Sequence, residues 1–88
     1  MPTYCVSYDL HTPGEHYDPL SDAIKRCPGW WHFLESTWLV ATPETANHLA
    51  DRLLSTIGPR DYLLVIAVGR SFQGHLPPVA WEWIDRNT

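Results

Sequence analysis

Three residues stand out for the chemistry they could do together: Asp9, His11 and Ser36. Asp9 falls near the end of YCVSYDL, an alternating segment in which a carboxylate arrives between Tyr8 and Leu10. A carboxylate at a strand end suits a hard cation such as Mg²⁺ or Mn²⁺, which prefers oxygen ligands and keeps several waters. It equally suits a strand stop that accepts hydrogen bonds from loop amides. His11 opens the loop HTPGEHY, where Glu15 and His16 add another acid and another imidazole. Imidazoles there could pass protons or lend charge beside a phosphodiester; the competing reading is a solvated loop. Ser36 sits in Glu35-Ser36-Thr37, the polar break in WWHFLESTWLVA. It reads as a turn between strands, or as a hydroxyl near the end of the first strand that can bind phosphate. Together they could offer a metal-binding carboxylate at Asp9 with proton or phosphate contacts from His11 and Ser36.

Fewer signals come from the rest of the chain. Trp30, Trp31 and Trp38 could stack bases, but no basic residues interleave them, which favours packing in a core or an interface. His32 lies among aromatic residues and reads as a satisfied or edge histidine; His48 reads as surface. No zinc spacing, serine elbow or glycine-rich phosphate loop is present.

The elements that must position these residues follow from periodicity. Residues 3–10 alternate as a first strand, with Tyr4, Val6 and Tyr8 on one side and Cys5, Ser7 and Asp9 on the other. Asp18-Pro19 reads as cap and first residue of a helix carrying Leu20, Ala23, Ile24 and Cys27, stopped by Pro28-Gly29. Residues 30–41 read as two short strands broken near Glu35-Ser36. Thr42-Pro43-Glu44 opens a second helix, with Ala46, Leu49, Ala50, Leu53, Leu54 and Ile57 as its apolar stripe and Gly58 as its terminator. The unbroken apolar run YLLVIAV, 62–68, predicts a central strand buried on both faces. Residues 70–78 read as a loop; residues 79–86 read as a short helix or an edge strand, and Pro77-Pro78 favours the helix. The order β-α-β-β-α-β predicts an α+β domain of ferredoxin-like type: an antiparallel sheet, two helices on one face, and the first strand central. One domain spans 1–88, with a core at 3–69 and a C-terminal extension at 70–88.

Composition bounds the partners. The chain has 88 residues, 44% apolar, with five tryptophans. A domain this small buries only roughly 60–65% of its unfolded surface, and oligomerisation is a common remedy. Six Lys/Arg against ten Asp/Glu give a net charge of −4. So few cations make a poor phosphate track, which disfavours a long duplex. A short RNA, a small nucleotide or a protein partner remains compatible. Cys5 and Cys27 fit no zinc pattern and read as buried free thiols. No secretory or membrane-spanning run is evident, so a soluble cytoplasmic protein with no membrane partner is expected.

Tyr8-Asp9 closing the first strand, Gly29 after the helix, then Ser36 and Trp38, with Asp61 opening the apolar strand, form a pattern across residues 3–69. It resembles the CRISPR-associated protein 2 superfamily, which also takes in VapD-like toxin endoribonucleases. The resemblance implies a ferredoxin-like homodimer of a defence or toxin system. It also implies a metal-dependent endonuclease acting on RNA or short nucleic acid, with Asp9 as the Mg²⁺ or Mn²⁺ ligand. Other members act without catalysis, as a dimeric scaffold for duplex DNA. This chain departs from the family in its acidity, in His32 and Leu34 where basic and glutamine residues are usual, and in its WEWI tail. These departures weigh most against the DNA-scaffold role. The alternative to a nuclease is a non-catalytic dimeric module that binds a protein partner through edge strands and tryptophans.

Overall fold

The computed structural model describes residues 1–11 and 18–88, except for the side chain of Asp18. Glu15, His16 and the rest of the loop 12–17 lie outside the described residues, as does any capping by Asp18. The elements run β1 (Thr3–Asp9), α1 (Asp18–Ile24), β2 (Gly29–Leu34), β3 (Thr37–Ala41), α2 (Ala46–Leu54), β4 (Tyr62–Ala67) and α3 (Pro78–Asn87). The four strands form one sheet in the order β2-β3-β1-β4 with every pair antiparallel, so the domain is α+β and β1 is central. The break between β2 and β3 falls at Glu35-Ser36, where polar residues interrupt the apolar pattern.

Alternation along β1 divides the sheet into two faces. Tyr4 and Val6 are buried on one face with Trp38 and Val40 of β3, and α1 (Leu20, Ala23, Ile24) and α2 (Leu49, Leu53) close over them. Among the described residues the opposite face is covered at one end only. There α3 approaches β2 so closely that a Cβ added at Gly29 would lie 3.3 Å from Ala41 Cβ and 3.5 Å from the Trp83 ring. Thr3 Oγ1 also donates to the Asn87 carbonyl at the end of α3. Trp81 stacks with Phe72, 6.3 Å between ring centres. Both tail tryptophans are thus engaged within the chain.

One expectation is overturned. Among the described residues β4 is an edge strand, paired only with β1. Its apolar run splits by alternation: Leu63 and Val65 pack against the core, while Tyr62, Leu64 and Ile66 are 70%, 55% and 53% exposed. They extend the uncovered half of the second face, opposite Asp9, Ser7 and Cys5. Cys5 accordingly is only half-buried, whereas Cys27 is buried, and both are free thiols.

The second helix also starts later than expected. Thr45, not Thr42, is its N-cap, accepting from the His48 N–H at 3.1 Å. Thr42 is buried and donates instead to Glu44 Oε1 at 2.9 Å. Glu44 in turn receives Arg52 Nε and Nη2, both at 2.9 Å. Arg52 also donates to the Ala23 carbonyl and to Cys27 Sγ, tying α2 to the end of α1. These guanidinium bonds hold the Glu44 carboxyl below its ordinary value, against an opposing push from burial. Burial raises the Cys27 thiol, with Arg52 partly offsetting it. The helix ends at Leu54, before Gly58.

Candidate functional site

β1 delivers Asp9 to the end of the central strand, where main-chain pairing with Tyr62 fixes its position. Its side chain is 71% exposed, and its Oδ2 lies 3.0 Å from His11 Nε2. The contact is an ion pair when the imidazole is protonated and a hydrogen bond when it is neutral. The His11 ring meets Tyr62 edge-on at 5.9 Å.

The loop amides at this corner are taken by a different carboxylate. Asp61, immediately before β4 and 9% exposed, accepts the His11 N–H at 2.7 Å and the Gly58 N–H at 2.8 Å. Asp61 therefore performs the structural role that the sequence leaves open for Asp9. Among the described residues Asp9 accepts no backbone amide. The sequence reading treated Asp61 only as a strand boundary. The available signal was its position after Gly58-Pro59, where a turn leaves amides in need of an acceptor.

Ser36 is held beside Asp9 by the main chain, since its carbonyl accepts the Tyr8 N–H at 3.2 Å. Between β1, α1 and the β2–β3 turn lies a cleft of about 330 Å³, lined by Tyr8, Asp9, Leu10, Ser21, His32, Glu35 and Ser36. The wall behind it is ordered. Trp38 Nε1 donates to the Tyr8 hydroxyl at 3.1 Å. The His32 ring lies parallel to Trp38 at 3.7 Å, and its Nε2 is 3.0 Å from the Glu35 carbonyl oxygen. On the uncovered face a shallower hollow of about 230 Å³ is lined by Ser7, Tyr8, Asp9, Tyr62, Leu63 and Leu64. Asp9 stands between the two.

The structure thus gathers Asp9, His11 and Ser36 at one strand end. Glu35, Ser21 and His32 join them, and their side chains had carried no site assignment. Among the described residues no three His, Cys, Asp or Glu side chains converge to hold a metal ion. The exposed carboxylate of Asp9, with Glu35 lining the same cleft, fits a Mg²⁺-type ion held by one or two carboxylates and otherwise hydrated. No helix of the described residues is long and apolar enough to cross a membrane. No family model, curated protein or solved structure matches the chain.

Proposed function

We propose that this chain is a ferredoxin-like, homodimeric phosphodiesterase that cleaves RNA or short nucleic acid, with Asp9 as its metal-holding residue. The observation that carries the reading is the division of labour at the strand end. Asp61 takes the His11 and Gly58 amides, and Asp9 remains exposed at the mouth of a cleft with His11 beside it. The strand order supports the ferredoxin-like assignment, because β1 lies between β3 and β4 with β2 at the far edge.

In this reading Asp9 would be the residue that holds a divalent ion. When bound, Mg²⁺ or Mn²⁺ supplies polarisation of a phosphoryl oxygen and lowers the pKa of a bound water. His11, oriented by Asp9 through Nε2, would take or return a proton at Nδ1. The Ser36 hydroxyl donates to a phosphate oxygen. The exposed row Tyr62, Leu64 and Ile66 supports a second copy as partner, since exposed apolar patches mark association surfaces. The same row is also the observation that favours the runner-up, a dimeric binding module without catalysis.

The test is cleavage of a short labelled RNA in Mg²⁺ and in Mn²⁺. Wild type is expected to cleave, Asp9→Asn to lose cleavage while staying folded, and His11→Ala to lose roughly 10²- to 10⁴-fold. Equal cleavage by wild type and Asp9→Asn would remove Asp9 from the chemistry. No cleavage by either leaves the binding module.

A further inference from the structure

The 330 Å³ cleft has a chemistry that phosphate binding does not explain. Its lining carries two carboxylates, Asp9 and Glu35, with the side chains of Ser21, Ser36, Tyr8 and His32, and among the described residues no Lys or Arg. Without a divalent ion on Asp9, a phosphate entering it would meet like charge. A ligand presenting N–H donors would meet acceptors. The cleft also offers a flat surface whose plane is set in advance: His32 is stacked on Trp38 and tethered at Nε2 to the Glu35 carbonyl. Lys25 stands farther along the same sheet face, 5.4 Å above the Trp30 ring. A planar ring system with a donor edge matches these features together, and the volume is at the lower end of the range for small-molecule sites, about 300–1,000 Å³.

We propose that this cleft is a base-binding subsite selective for guanine. The base stacks on His32, and its N1–H and exocyclic amine donate as a pair to the Glu35 carboxylate. This deepens the phosphodiesterase reading, on which it rests for the substrate being RNA: the cleft selects the base beside the bond that Asp9 and His11 address. Adenine presents an acceptor where guanine presents N1–H, so the same carboxylate repels it. Two donors on one carboxylate discriminate between bases by roughly ten- to hundredfold.

The experiment is amide NMR titration of the full chain with guanosine, inosine, adenosine and uridine, and with an arginine amide as a non-nucleoside donor. Guanosine is expected to shift Ser21, His32, Glu35 and Ser36, and to bind at least tenfold tighter than adenosine, with inosine between. Glu35→Gln, in an exposed turn, should erase that preference, and His32→Ala should weaken every nucleoside. Equal binding of all four nucleosides, absence of binding, or tighter binding of the arginine amide overturns the subsite. RNA cleavage that depends on Asp9 but ignores base identity leaves the catalytic reading standing without the subsite. Selective guanosine binding without any cleavage does the reverse.

Discussion

Asp9 and Asp61 are two carboxylates at neighbouring strand ends, and they do opposite things. Asp61 is buried and clamps two backbone amides, one from each side of the corner. Asp9, beside Tyr62 in the sheet register, points its carboxylate into solvent and touches only the movable imidazole of His11 among the described residues. An acid at a strand end is therefore not evidence of function in itself. What separates the two is where the corner's amides are satisfied. Buried N–H groups demand an acceptor, and among the described residues Asp61 answers that demand at His11 and Gly58 while Asp9 takes no amide.

The sharpest way to break this comparison is to remove the structural member. Asp61→Ala leaves the amides of His11 and Gly58 without their charged acceptor, which should cost about 3 kcal/mol in urea unfolding. A loss under ~0.5 kcal/mol would mean that the two aspartates are not different in kind. Next in size is Arg52→Ala, which strips Glu44, Ala23 and Cys27 of their shared donor and should cost about 2 kcal/mol. Glu44 also gives this network a pH signature. Its folded carboxyl titrates below the ordinary value of 4.5, so its contribution is complete above that value. It is lost as pH falls through the lower folded value. Urea midpoints measured from about pH 5 down to pH 3 should fall less steeply in Glu44→Gln than in wild type. Smaller again is the effect of Leu64→Asp on the open face. The variant monomer should fold normally, because Leu64 is 55% exposed. Light scattering should show its dimer Kd raised about tenfold or more. An unchanged dimer would place the interface elsewhere, and a monomeric wild type would remove it. Smallest on stability is Asp9→Asn, expected within ±0.5 kcal/mol as for other exposed positions.

Much of the fold was readable because its signals are local. Pro28-Gly29 and Glu35-Ser36 break the pattern where the chain turns, and Pro77-Pro78 starts α3. β4 was misread because an unbroken apolar run has two physical causes. One is a strand covered on both faces; the other is an edge strand with one covered face and one awaiting a partner. YLLVIA is the second kind, with Tyr62, Leu64 and Ile66 outward. The start of α2 was misplaced because Thr42 and Thr45 are both plausible caps by type. The bond from Thr42 to Glu44 two residues on, with Glu44 itself held by Arg52 of the helix, decides between them. At the site, Asp9 and Ser36 were legible as polar residues in apolar stretches. Their approach through the Tyr8–Ser36 main-chain bond joins residues far apart in sequence and leaves no local trace, and the stacking of His32 on Trp38 depends on how the β2–β3 hairpin registers.

The central claim, that Asp9 is free to hold a metal because Asp61 is not, is tested most directly by titrating Mg²⁺ and Mn²⁺ into wild type and Asp9→Asn while following backbone amides. The account predicts saturable changes centred on Tyr8 to His11 in wild type, absent in Asp9→Asn, with the Gly58 amide undisturbed on its Asp61 bond. No change up to millimolar metal, or the same change in both proteins, would contradict it.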